Sequence, residues 1–177
     1  LIEKNEYPKH KVCGEYISLE SWDFLQGLGV DLNALNVSHI TKLHITSANG
    51  YSVEQSLPLG GFGISRYVLD NKLAVIARQC NVTILENTKV DNIQFQDNTF
   101  IINAGQKYKA PVVCATYGKR SNLDIKWKRD FVLSHKNKLN NYVGIKYHIK
   151  TSFPVDTIAL HNFENGYCGV VKIEEDK

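Results

Sequence analysis

The sequence predicts an α/β portion combined with an antiparallel β portion, folded as two intertwined domains. Three observations carry this. Along the first two thirds, helical apolar spacing alternates with the period of two expected of strands. Residues 111–115, Pro-Val-Val-Cys-Ala, form a solid apolar run of the kind buried on both faces of a sheet. The last third then holds three strand-like runs with no helix signal between them, which predicts an antiparallel meander.

Taken in order, residues 1–4 read as the end of a buried strand, and Asn5 to Lys11 as a polar loop carrying Pro8. Ser18 is placed to cap a helix whose Leu19, Trp22, Leu25 and Leu28 make one apolar face, with Gly27 and Gly29 to end it. From Ile40 the period becomes two, in Leu43 and Ile45 and then Tyr51 and Val53, with Asn49-Gly50 as the hairpin signal between them. The Pro- and Gly-rich residues 57–63 read as a loop. Ser65 is a second N-cap, and Leu69, Leu73 and Ile76 predict a helix ending near Cys80. Short strands are expected at 82–85, 90–95 and 99–102, with a turn at Gln96-Asp97-Asn98. The meander is expected at 142–149, 157–163 and 167–173, with Asn165-Gly166 joining the last two. Lys126-Trp127-Lys128-Arg129 reads as a solvated loop.

Composition narrows the function. The 177 residues are 43% apolar and 22% charged, as in globular proteins. A net charge of +3, from 21 basic and 18 acidic side chains mixed along the chain, argues against nucleic acid as a partner. No apolar run approaches the roughly 20 residues that span a bilayer. The four cysteines have no C-x-x-C spacing and the six histidines no i, i+4 pair, so no metal site is expected. Reduced thiols suit a cytoplasmic protein. The sequence has no Met, which predicts a piece of a longer protein.

Four segments then resemble one family in order and spacing: Leu1-Ile2-Glu3-Lys4, Pro8-Lys9-His10-Lys11-Val12-Cys13-Gly14-Glu15, Gly63-Ile64-Ser65-Arg66 with Asp70 and Leu73, and Cys114-Ala115-Thr116-Tyr117-Gly118-Lys119-Arg120-Ser121. Together they resemble the middle of an FAD-dependent oxidoreductase of the geranylgeranyl reductase and aromatic hydroxylase superfamily. The resemblance implies FAD as cofactor and a small-molecule substrate, and leaves NAD(P)H open as electron donor. It implies a partial Rossmann-like FAD-binding domain at 1–38 and 64–124. The antiparallel-sheet substrate domain would then lie at 39–63 and 125–177. The pyrophosphate-binding Gly-rich turn is expected upstream of Leu1, and the segment closing over the ribityl chain downstream of Lys177.

Site residues follow from the same resemblance. Glu3, at the carboxyl end of a strand, is suited to accept the ribose hydroxyls. Lys11 is implied near the pyrophosphate, Cys13 and Gly14 beside the isoalloxazine, Arg66 near the nucleotide and Val90 along the adenine. Gly14 allows close backbone approach to a flat ligand, and Cys13 is the one candidate for a role in catalysis. Tyr117 stands where the family's turn has Asp. In the sheet, Tyr167 matches the first aromatic of a prenyl-binding motif, while Gly169, Val171 and Lys172 replace its Trp, Phe and Pro. The long isoprenoid substrate is therefore not expected; a small or medium apolar compound is. The expected function is reduction or dehydrogenation. Flavin-dependent monooxygenation is the alternative among enzymes, and a cofactor-free interaction module the alternative outside them.

Overall fold

The computed structural model describes residues 1–118, 121–133, 142–175 and 177. They form two compact units interleaved along the chain: Leu1–Glu6 with Thr83–Val143, and Tyr7–Val82 with Gly144–Lys177.

The second unit is built on a five-stranded mixed sheet. Its strands are β1 (Tyr16–Ser18), β2 (Ser38–Thr46), β3 (Ser52–Gly63), β7 (Thr157–Phe163) and β8 (Gly166–Val171), in the order β1-β3-β2-β7-β8. β3 pairs antiparallel with β1 and β2, and β7 antiparallel with β8. The sheet is not a simple meander, however. β7 runs parallel to β2, with Leu43 opposite Ile158 and Thr46 opposite His161. A 3-10 turn, Leu19–Ser21, leads into α1 (Trp22–Gly27), so the helix predicted after Ser18 is split in two. Ser18 still caps its start, accepting from the Glu20 N–H. The predicted helix after Ser65 is α2 (Arg66–Gln79), its Ser65 side chain accepting from the Val68 N–H. Leu25, Val30, Leu32, Val37, Phe62, Ile64 and Leu69 form the apolar core, with Trp22 edge-on to Phe62.

The expected loop at 57–63 is instead the inner half of β3. Its glycines serve close packing more than turning. Gly60 has φ +71°, and a Cβ there would sit 2.6 Å from the Ile40 carbonyl. A Cβ on Gly63 would overlap the Lys172 carbonyl. Residues 142–149, expected as a strand, join no ladder.

The first unit carries a three-stranded antiparallel sheet of β4 (Asn92–Gln96), β5 (Thr99–Ala104) and β6 (Gln106–Ala110). Asp97 and Asn98 both have positive φ, as a two-residue hairpin turn requires. The sequence reading missed β6, whose Gln-Lys-Tyr-Lys-Ala residues look like a polar loop. Residues 1–4 and 82–85 were expected as strands, and among the described residues they pair only through the parallel bridge of Ile2 with Leu85. Residues 111–115 are a correction as well. They form no strand, and Val112 is 71% exposed. A strand buried on both faces needs neighbours to cover it, and among the described residues it has no paired partner. The supposed loop at 126–129 begins on the last residue of a short helix, α3 (Asn122–Lys126), and α4 (Asp130–Leu133) comes next.

Candidate functional site

In the second unit, the segment entering β1 meets the start of α2. The meeting is held by backbone first: the Ile64 N–H donates to the Glu15 carbonyl at 3.0 Å. Glu15 itself has φ +56° and is 4% exposed, an unfavourable conformation for a residue with a side chain. Its carboxylate accounts for the geometry. One oxygen accepts from the Arg66 backbone N–H and the Lys146 ammonium, each at 2.7 Å, and the other contacts His148 Nε2 at 2.7 Å. Burial pushes this carboxyl up, but hydrogen bonds from Lys146, the Arg66 N–H and His148 outweigh it, leaving the group below its ordinary range.

A second buried carboxylate lies one turn further along α2. Asp70 accepts two bonds from the Arg66 guanidinium, at 2.7 and 3.0 Å, and pairs with Lys11 at 2.6 Å. Burial pushes Asp70 up too; hydrogen bonds from Arg66 and Lys11 prevail and hold it low. Arg66 is raised in turn, chiefly by Asp70, with the Cys13 sulfur also in hydrogen-bonding reach. A third carboxylate, Glu174, accepts from the Ser65 N–H at 2.8 Å and from the Ser65 hydroxyl. Two buried carboxylates near the helix N-terminus also complement its dipole. Beside the cluster, His10 stacks on Tyr67 with ring centroids 4.6 Å apart and meets the His148 ring edge-on at 5.1 Å.

The predicted Lys11, Cys13, Gly14 and Arg66 are thus brought together by partners that the sequence reading did not assign to the site. Cys13 Sγ accepts from the Glu15 N–H at 3.5 Å. Gly14 has nothing within 4 Å of where a Cβ would lie. Its φ is not in the left-handed range, so neither crowding nor backbone strain within the chain demands glycine there. Three cations, Lys11, Arg66 and Lys146, and three buried carboxylates, Glu15, Asp70 and Glu174, gather around the start of α2, and Glu15 directly follows this bare backbone.

Glu3 and Val90 belong to the first unit. Glu3 follows the parallel bridge, its N–H donating to the Leu85 carbonyl at 2.8 Å, and its carboxylate accepts from the Asn5 N–H at 3.0 Å. Val90 is half-buried just before β4. In the Gly118–Ser121 segment, Lys119 and Arg120 lie outside the described residues. Gly118 has φ +84°, and Ser121 caps α3, accepting from the Leu123 N–H at 3.1 Å. Tyr117 donates to Asp124, so the side chain replacing the family's Asp is engaged within its own unit. Tyr167 stands on β8 opposite Asn162, 66% exposed.

Some of the missed residues were legible. Asp70 stands four residues after the predicted Arg66 on a predicted helix. Lys146 and His148 stand two apart in a segment the sequence predicts as a strand, where such residues share a side, and both reach Glu15. Nothing local marks Glu15 or Glu174 as buried. Among the described residues, no group of three or more His, Cys, Asp or Glu is gathered to hold a metal ion. No helix there is long and apolar enough to cross a membrane.

No family model matches the sequence. The chain is similar to Conditioned medium factor receptor 1 of Dictyostelium discoideum, 25% identical over 203 residues, covering all of this chain and 39% of that protein. It therefore spans about two fifths of the length of this curated relative. Among solved structures, the flavin-dependent halogenase CmlS superimposes with a TM-score of 0.72 at 16% identity, over 99% of this chain and 35% of that one. The halogenase PltM, solved with phloroglucinol and FAD, gives 0.57 at 15% identity, over 72% and 31%. FqzB gives 0.57 at 16% identity, over 68% and 30%. The chain carries part of the fold seen in these three structures.

Proposed function

We propose that this chain is part of an FAD-dependent oxidoreductase that works with oxygen, as a monooxygenase does, in preference to a reductase or dehydrogenase. The observation that carries the reading is Gly14, a bare backbone with open space before it, flanked by the tied side chains of Cys13 and Glu15, in a cluster that also holds Lys11 and Arg66. A flat, anionic cofactor suits such a surface: glycine admits the ring close to the backbone, and Lys11 and Arg66 supply positive charge. The fit of the residues to FAD is thus chemical as well as topological. The halogenase neighbours favour the oxygen-using branch.

When bound, the flavin would supply the redox chemistry. The chain's own residues bind and orient. In the second unit these are Lys11, Cys13, Gly14 and Arg66. In the first, Glu3 would accept ribose hydroxyls and Val90 would lie along the adenine. We assign 1–38 and 64–124 to a Rossmann-like FAD-binding domain and 39–63 with 125–177 to the substrate domain. Tyr167 would line the substrate wall. Next to it Gly169 adds no side chain, and even a Cβ there would just touch Leu160 and Tyr167, at 3.6 and 3.7 Å. That open patch suits a small or medium apolar compound better than a branched C20 chain gripped by aromatic faces.

The test is made on the full-length protein. It should purify yellow, with a band near about 450 nm, or acquire that band with added FAD. Reduced anaerobically and returned to air, it should take up oxygen in a substrate-dependent way; substrate reduction without such uptake would return the reading to the reductases. Glu3→Ala should weaken FAD binding by about 1–3 kcal/mol with the fold retained, and an unchanged affinity removes Glu3 from the site. The receptor name of the Dictyostelium relative favours a second reading, a cofactor-free interaction module. A colourless protein that ignores added FAD would support it.

A further inference from the structure

We infer that Glu15 is a positioning residue, and that it holds His148 by Nε2 so that the ring's Nδ1 becomes the proton-exchanging atom of the site. The purpose of that proton rests on the flavoenzyme reading above; the hold itself does not.

The chemistry follows from the contact. An ionised carboxylate only accepts hydrogen bonds, so the His148 nitrogen 2.7 Å from it must carry the hydrogen. A neutral ring then has its lone pair on Nδ1, and protonation changes its charge there without breaking the bond to Glu15. Lys146 keeps the carboxylate ionised from the same segment, and the Arg66 N–H does so from α2. His10 meets the His148 ring from the loop before β1 and is itself exposed, which gives the ring a neighbour toward solvent.

A plain structural ion pair would need less. Lys146 alone neutralises Glu15, and a residue with a side chain would not be kept at φ +56° without several compensating bonds. That strained residue directly follows Cys13 and Gly14, so the turn offered to the ligand and the histidine are fastened by one group. Residues 142–149 join no ladder, and Lys146 and His148 tie them to Glu15.

The experiment uses full-length protein labelled with ¹⁵N-histidine and loaded with FAD. In the ring-nitrogen spectrum, the signal lost in His148→Gln should show the Nε2–H tautomer at neutral pH. Glu15→Gln should convert it to a mixture of tautomers. A wild-type ring in the Nδ1–H tautomer overturns the inference, and since this needs no Glu15 variant, it holds even if that variant fails to fold. The second readout is the bound flavin's absorbance between about pH 5 and 8. The wild-type spectrum should change with pH, and His148→Gln should lose that change. Identical pH dependence in the two proteins would leave only a structural clasp and overturn the inference. Wild-type protein that takes up no FAD, yet shows the expected tautomer, upholds the hold on His148 and overturns the flavoenzyme reading.

Discussion

Helices α2 and α3 both begin on a serine cap and both keep an aspartate buried beside an arginine, yet the two arrangements differ in what they leave open. In α3, Asp124 accepts from the Tyr117 hydroxyl at 2.5 Å and meets Arg129 at 3.5 Å. Arg129 lies over the Trp127 ring at 5.3 Å, and the indole N–H reaches the Ile93 carbonyl at 3.4 Å. The hydrogen bond to Asp124 holds the Tyr117 phenol proton more tightly than usual. One anion, one cation and one neutral donor close on each other beside an aromatic ring. At α2, Asp70 and Glu15 draw three cations together, Glu174 joins them at Ser65, and the cluster adjoins the bare backbone of Gly14 through Glu15. The same residue types make a closed clasp at α3 and, at α2, a cluster with open backbone next to it.

This comparison can be broken most severely through the strand that delivers the chain to α2. Gly63→Val places a side chain into the Lys172 carbonyl, a clash with backbone that cannot be relieved by a rotamer change. It should cost about 3 kcal/mol or more and disorder the start of α2. A urea midpoint close to wild type would show that residue 172 can move aside.

The next effect separates the two aspartates. Asp70→Asn and Asp124→Asn should each destabilise by about 1–2 kcal/mol, since their cationic partners are partly exposed and only part of the cost of breaking a buried pair applies. Only Asp70→Asn should also weaken flavin binding in the full-length protein, by about tenfold, because Lys11 and Arg66 lose the group that aligns them. Equal flavin affinities in the two variants would erase the distinction between clasp and site.

Acid gives a third measurement. Glu15 and Asp70 both sit below their ordinary values in the folded protein. Their contribution is therefore complete above the unfolded carboxylate range, near about 4, and is lost as pH falls below it through the folded values. Unfolding midpoints should hold steady from neutral pH down to about 5 and then drop. In Asp70→Asn the drop should be shallower, and an identical acid limb in both proteins would remove Asp70 from the account. The smallest effect should come from the clasp itself. Trp127→Phe keeps the ring and deletes the indole N–H, and should cost about 1 kcal/mol with no change in flavin affinity.

How much of this could be read beforehand depended on the range of the cause. The helix after Ser65 was legible because a cap and an apolar stripe are local, and so was the turn at Asp97 and Asn98. Strand β7, Thr157–Phe163, was also legible from its composition. Its parallel pairing with β2 was not, because register between strands more than a hundred residues apart leaves no local mark. The glycines at 60, 61 and 63 misled for a related reason. Glycine reads as a turn in sequence, while here it admits backbone close against its side, a demand set by Ile40, Ile17 and Lys172. The apolar run at 111–115 promised a covered strand, but whether cover exists is decided by neighbours.

The site divides along the same line. By itself the sequence determined which groups were available: Lys11, Cys13 and Gly14 in one loop, and Arg66 with Asp70 at helical spacing. These follow from short-range chemistry, since capping, helical spacing and the missing side chain of glycine act within a few residues. Only the tertiary structure decided that Glu15 would be the buried centre of the cluster. Its partners come from residues 66, 146 and 148, and a carboxylate becomes an anchor only once folding has removed it from water and set donors around it.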